Sequence, residues 1–176
     1  MAQQSVSVLG AGLAGCEAAW QLARRGIPVT LYEMKPQRYS PAHQSEDFAE
    51  LICSNSLKAA RVDSAAGLLK EEMRRFGSLL IGCAEKSRVP AGGALAVDRK
   101  EFSRLATEAI QSDPLIEIRR EEVTESPEGP VVVATGPLTS QPLSEKILSL
   151  CGGGLSFYDA AAPIVTRESL DMERCF

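Results

Sequence analysis

The chain has 176 residues, 44% of them apolar and 24% charged, with a formal net charge of −4, enough for one domain of ordinary size with its own core. The acidic balance lacks the overall electrostatic footprint of a nucleic-acid binder. No run nears the roughly 20 apolar residues of a membrane span and the M-A-Q-Q-S start carries no charged and apolar leader, so a soluble cytoplasmic protein is expected.

Val6, Val8 and Leu9 suit a short buried strand, and G-A-G-L-A-G at Gly10 to Gly15 follows it directly. Ala14, Ala18, Leu22 and Arg25 then recur at helical spacing until Gly26 closes the helix, and a second strand is expected at Val29 to Tyr32, ending at Glu33. Strand, glycine turn, helix, strand and terminal acid in this order read as a nucleotide pyrophosphate site. Gly10 allows the tight bend, Gly12 lets the backbone approach the phosphates, and Gly15 lets helix and strand pack closely. Gly10, Ala11, Gly12, Leu13, Ala14 and Gly15 are therefore candidate cofactor residues, with unpaired N–H groups of the helix N-terminus facing the anion. Glu33 is the candidate partner of a ribose hydroxyl and disfavours a 2′-phosphate there. The fingerprint leaves FAD and NAD open; its place at the N-terminus, followed by R-R-G-I-P-V-T-L-Y-E, resembles flavoproteins that bind FAD with their first unit.

Residues 35–48 contain two prolines and no apolar period, which predicts a loop facing the ligand. Residues 64–76 predict an amphipathic helix with Ser64 as N-cap, Leu68, Leu69, Met73 and Phe76 on one face, and Gly77 as stop. P-A-G-G-A-L-A-V from Pro90 reads as turn then strand. Asp98 and Glu101 form a capping-box spacing ahead of a helix that carries Phe102, Leu105, Ala109 and Ile110. Ile116 and Ile118 alternate with charges as a half-exposed strand, and Val131 to Ala134 reads as a buried one. Ala134, Thr135 and Gly136 follow it. In two-unit flavoproteins an A-T-G turn brings the chain back against the nucleotide, so these three are candidate cofactor residues; an ordinary strand exit is the alternative. Residues 157–176 read as a strand and the start of another element with no polar tail, which suggests truncation. The fold expected is α/β, a Rossmann-like FAD-binding fold of the two-unit flavoprotein type, truncated.

The five cysteines are odd in number and show no C-x-x-C pairing, which argues against a disulfide framework, and with His43 the only histidine the ligands for a zinc site are lacking, so no metal is expected. Cys53, in the polar segment L-I-C-S-N-S-L-K between two expected helical stretches, is the candidate nucleophile. Ser54, Asn55 and Ser56 can donate hydrogen bonds, and Lys58, if close, would lower the thiol pKa from its usual value of about 8.5. A buried small hydrophobe is the alternative for Cys53. Cys16, Cys83, Cys151 and Cys175 sit in apolar or terminal settings and receive no role. The basic clusters between Lys58 and Arg104 read as solvated helix faces.

The segments G-A-G-L-A-G-C-E-A-A-W-Q-L-A, L-Y-E-M-K-P, F-A-E-L-I-C-S-N-S-L-K-A, G-L-L-K-E-E-M-R, V-P-A-G-G-A-L-A-V-D-R, A-T-G-P-L-T-S and F-Y-D-A-A-A-P-I-V run in order along nearly the whole chain. Together the chain resembles the N-terminal part of the folate- and FAD-dependent tRNA (uracil-5-)-methyltransferases; C-S-N-S-L and P-A-G-G-A-L-A-V-D-R are the most specific segments. The resemblance implies that residues 1–176 are the N-terminal portion of a discontinuous FAD-binding domain, with an inserted domain and a C-terminal return absent from the chain. It implies C5-methylation of uridine 54 in the tRNA T-loop, with methylenetetrahydrofolate as carbon donor and FAD reduced by NAD(P)H. Cys53 matches one of two cysteines implicated in the family, one as nucleophile and one in acid–base work; its role of the two stays open. The other cysteine belongs to a later segment, so the fragment alone is expected to be inactive. A related flavoprotein of the GidA type, which modifies wobble uridines, shares the opening fingerprint but not C-S-N-S-L. A non-catalytic nucleotide-binding fragment is the remaining alternative.

Overall fold

The fold begins with two parallel strands joined by a helix: β1 (Val6–Leu9), α1 (Leu13–Ala23) and β2 (Val29–Tyr32). An excursion follows through β3 (Ser56–Ala59), α2 (Ala65–Arg75), α3 (Leu79–Lys86), β4 (Arg88–Val89), β5 (Ala94–Val97) and α4 (Arg99–Ser112). The chain then returns as β6 (Ile116–Arg119), β7 (Val131–Val133) and α5 (Gln141–Cys151). The structure is a computed structural model that describes residues 5–152 and Asp171; the strand expected within 157–176 and Cys175 lie outside the described residues.

One sheet has the order β6-β2-β1-β7 with every pair parallel: Val6 lies opposite Val29, Val29 opposite Ile116, and Leu9 opposite Val133. Parallel neighbours cannot be joined by a tight hairpin and need a crossover. The crossover between β1 and β2 is α1, whose buried face is Gly15, Cys16, Ala19 and Ala23. These small side chains let the helix lie close on the fully buried Val8 and Leu31. The excursion adds a second, antiparallel sheet, β3-β5-β4, and α4, which buries Phe102, Ala106 and Ile110 completely against the same core.

Several expected features form as read. Ser64 accepts the Gly67 N–H at 3.1 Å as the N-cap of α2, and Gly26 and Gly77 take φ of 74° and 69° just past the ends of α1 and α2, where a side chain is disfavoured. Asp98 accepts the Glu101 N–H at 2.9 Å and so caps α4. The reciprocal half of the capping box does not form: the Asp98 N–H donates to Ser87 O at 2.8 Å, while Glu101 pairs with Arg104.

Other features differ. Val131–Val133 is not a buried strand: it is an edge of the parallel sheet among the described residues, and Val133 is 51% exposed. The apolar face expected to bury α2 points outward, leaving Leu69 56% and Phe76 74% exposed. The inward side is Gly67 and Lys70. A Cβ on Gly67 would stand 1.7 Å from Arg61 O, so only glycine admits that close approach, and the buried Lys70 ammonium donates to the carbonyls of Ala59 and Ala66. The stretches flanking Cys53 are not helical: an irregular segment precedes it and β3 follows it.

Candidate functional site

A cleft of about 310 Å³ opens at the carboxyl ends of β1, β2 and β7, the end of a parallel sheet where ligands bind in doubly wound folds. Gly10 has φ of 92°, donates its N–H to Tyr32 O at 2.8 Å, and a Cβ on it would lie 2.9 Å from Ala134 O. Gly15 sits behind the cleft, where a Cβ would meet Gly10 O at 1.8 Å; helix and strand touch backbone to backbone. Gly12 is the opposite case: nothing lies within 4 Å of its Cβ position, which leaves the approach to the turn open. No side chain caps α1, and the N–H groups of its first turn lack intrahelical acceptors. An anion at this place meets those donors and the positive end of the helix.

Glu33 is buried at the tip of β2. Its Oε2 accepts the Ala11 N–H and its Oε1 the Lys35 N–H, both at 3.0 Å. A carboxylate offers about four acceptor positions, so it can still accept from a ribose hydroxyl. From the other side, the Ala134 N–H donates to Leu9 O at 2.8 Å, Gly136 takes φ of 67°, and Thr139 Oγ1 donates to Gly136 O at 2.8 Å. Gly10, Ala11, Gly12, Leu13, Ala14, Glu33, Ala134, Thr135 and Gly136 thus line one cleft.

The loop after β2 forms the remaining wall, through Lys35, Ser40, His43, Glu50 and Ile52. It is irregular but held. The Ala49 N–H donates to Ala11 O at 2.9 Å, and the Phe48 N–H to Thr107 Oγ1 at 2.8 Å. Lys35, itself buried, donates to Asp47 O at 2.6 Å and pairs with Glu50 at 3.4 Å. Arg120 donates to the carbonyls of Lys35 and Glu46 at 3.1 and 3.0 Å and lies 4.2 Å over the Phe48 ring. Ser40 Oγ is 2.6 Å from His43 Nδ1. Burial, then the Lys35 charge, push the His43 pKa below its ordinary value, against the opposing pull of Glu50 and Glu33.

Cys53 is exposed, one residue beyond Ile52 of the cleft wall. Its carbonyl accepts from Arg99 Nη2 at 3.3 Å, while Asn55 and Val97 exchange two hydrogen bonds, Nδ2 to Val97 O at 3.1 Å and Val97 N–H to Asn55 O at 2.9 Å. The hydroxyls of Ser54 and Ser56 accept the N–H groups of Ser56 and Lys58 at 3.1 and 3.2 Å. Arg99 contacts the Cys53 backbone, and burial together with the Lys58 charge lowers the Lys70 ammonium pKa. Cys16 is structural: buried, donating to Ala11 O at 3.3 Å, with its pKa pushed up to about 12 chiefly by burial. Among the described residues no His, Cys, Asp and Glu cluster is placed to hold a metal, and no helix is long and apolar enough to cross a membrane.

The sheet and its cleft define a Rossmann-like α/β unit. The chain belongs to the family described as glucose inhibited division protein A, whose sequence model matches residues 5–176. It is 62% identical over 178 residues to a protein of Desulforamulus reducens named methylenetetrahydrofolate–tRNA-(uracil-5-)-methyltransferase TrmFO, covering 100% of this chain and 40% of that protein. It is 59% identical to a Geobacter sulfurreducens protein of the same name, over 98% of this chain and 40% of that protein. The chain therefore spans about two fifths of the length of these curated relatives. Among solved structures, Aquifex aeolicus GidA superposes with a TM-score of 0.56 at 17% identity, over 71% of this chain and 20% of that one, a likeness of fold.

Proposed function

We propose that the chain is the FAD-holding N-terminal part of a folate-dependent tRNA uracil-5-methyltransferase, a cytoplasmic enzyme that takes its carbon from methylenetetrahydrofolate and its electrons from NAD(P)H. The observation that carries this reading is the meeting of the Gly10–Gly15 turn, Glu33 and the Ala134–Gly136 turn in one cleft with an exposed cysteine at its rim. Identities of 56–62% to methyltransferases of that name support it.

In this reading the open side of Gly12 and the first turn of α1 receive the pyrophosphate, and Glu33 accepts a ribose hydroxyl. A 2′-phosphate beside Glu33 is opposed by like charge, so NADPH is a passing reductant and not the resident of this cleft. FAD held by the Gly10–Gly15 turn, Glu33 and the Ala134–Gly136 turn would supply the redox chemistry of the transfer. Cys53, exposed one residue beyond Ile52 of the cleft wall, is the group proposed to meet the entering base. As a thiolate it adds to uracil C6, the C5–C6 π pair moves into an enolate, and C5 becomes nucleophilic. C5 then bonds to the one-carbon unit given up by methylenetetrahydrofolate, the C5 proton is lost, and departure of the thiolate with delivery of a hydride equivalent from NAD(P)H leaves a methyl group on the restored ring. Arg99, fixed on the Cys53 carbonyl, steadies that loop. The uridine must leave the T-loop stack to reach it.

The test uses the full-length enzyme and transfer of label from methylenetetrahydrofolate to tRNA. Cys53→Ala is expected to keep its flavin and lose methylation; an unchanged rate would make Cys53 a structural residue.

A further inference from the structure

We infer that His43 is a nucleotide-binding residue of the cleft, donating its Nε2–H to an oxygen of the ribose–pyrophosphate part of the dinucleotide. The inference rests on the reading of the cleft as the FAD site.

His43 is the only histidine of the chain, and it reaches the cleft from the loop that follows Glu33. Its ring is oriented by a short local device. Ser40 Oγ lies 2.6 Å from Nδ1, and the His43 N–H donates to Ser40 O at 3.3 Å. The same hydroxyl oxygen accepts the Ala42 N–H at 3.3 Å, and by giving its own hydrogen to Nδ1 the hydroxyl would make both contacts at once. A neutral imidazole that accepts at Nδ1 carries its proton on Nε2. Burial, then the nearby Lys35 ammonium, lower the His43 pKa and so favour the neutral ring, while Glu50 and Glu33 oppose them.

The neighbours leave this donor for a ligand. Lys35, a charged side-chain donor on that wall, donates to Asp47 O and to Glu50. Glu50 accepts the N–H groups of Gln44 and Ser45, at 3.0 and 3.2 Å to Oε1. Glu33 is tied to Ala11 and Lys35. Among the described residues, His43 has a protein partner at Nδ1 and none at Nε2. A polar N–H in a cleft that loses its water when a ligand enters costs affinity unless the ligand offers an acceptor. Glu33 prefers ribose hydroxyl donors; the ribose ring oxygens and phosphate oxygens alongside are acceptors. The two residues thereby read complementary atoms of one nucleotide.

Because the histidine is unique, its ring signals need no assignment. The chain is labelled with nitrogen-15 in the imidazole and followed by proton–nitrogen correlation during FAD addition, with flavin fluorescence reporting binding. The expected result is a neutral Nε2–H tautomer in the free chain, with the Nε2–H signal shifted and protected from exchange when FAD is saturating. His43→Ala is expected to weaken FAD binding about tenfold, the effect of one hydrogen bond, and His43→Gln, which retains a donor, to recover most of it. Flavin bound with unmoved ring signals, or an Ala variant that binds as tightly as the wild type, would overturn the role of His43 and leave the FAD site standing. A folded full-length enzyme that binds no FAD would overturn both.

Discussion

The Glu33 carboxylate accepts the Ala11 N–H at 3.0 Å, which joins the tip of β2 to the glycine turn that follows β1. The acid expected to meet a ribose therefore also shapes the turn that receives the phosphates. Glu33→Ala leaves two buried N–H groups, of Ala11 and Lys35, without acceptors. Each costs about 1–3 kcal/mol, so urea unfolding should show a loss of about 2 kcal/mol or more alongside weaker nucleotide binding. An unchanged midpoint would show that the turn holds its shape without Glu33.

The glycines separate packing from binding. Gly15→Ala places a methyl 1.8 Å from Gly10 O and must push α1 off the sheet; a cost of about 3 kcal/mol is expected in thermal or urea melts. A Cβ on Gly12 meets nothing within 4 Å, and the extended backbone there, at φ −74°, suits the β-branched residue of Gly12→Val. That variant should melt like the wild type and lose flavin in the full-length protein. Stoichiometric flavin on Gly12→Val would remove the glycine turn from the cofactor site.

Cysteine reactivity should follow exposure. Alkylation with iodoacetamide at pH 8, read by peptide mass, is expected to modify Cys53 and Cys151, which are exposed, and to spare Cys16 and Cys83, which are buried with raised pKa values. Rapid labelling of Cys16 in the folded chain would contradict the packing of α1 on the sheet.

Arg120 ties the end of β6 to the loop that walls the cleft, through two carbonyls and the Phe48 ring. Its contacts amount to about 1–2 kcal/mol. Arg120→Ala should raise the rate of tryptic cleavage after Arg38 about tenfold with little change at other sites. Equal cleavage rates would mean that Lys35 and Glu50 hold the loop without it.

What the sequence disclosed was local. β1, the glycine turn, α1, β2 and Glu33 follow one another within a single crossover, and each carries its own signal in periodicity or in glycine. The antiparallel sheet was hidden because β3 is Ser56–Ala59, short and polar, with Lys58 at φ of 67°, and its partner β5 lies far along the chain. The inward face of α2 was misread because a glycine and a lysine occupy it where apolar residues were expected. Lys35, His43, Glu50, Arg99 and Arg120 were not foreseen as members of the cleft and its supports. They act through an irregular loop, where no period marks which side faces the ligand; the one hint was a loop placed directly after the ribose acid.

The most direct test of the cleft is the visible absorption of the purified full-length enzyme after saturation with FAD and removal of free flavin, with the heat-released cofactor identified by mass. The expected result is a yellow protein with near-stoichiometric FAD, lost in Gly12→Val while the fold is retained by circular dichroism. A folded full-length wild-type enzyme that stays colourless would contradict the assignment of this cleft to FAD.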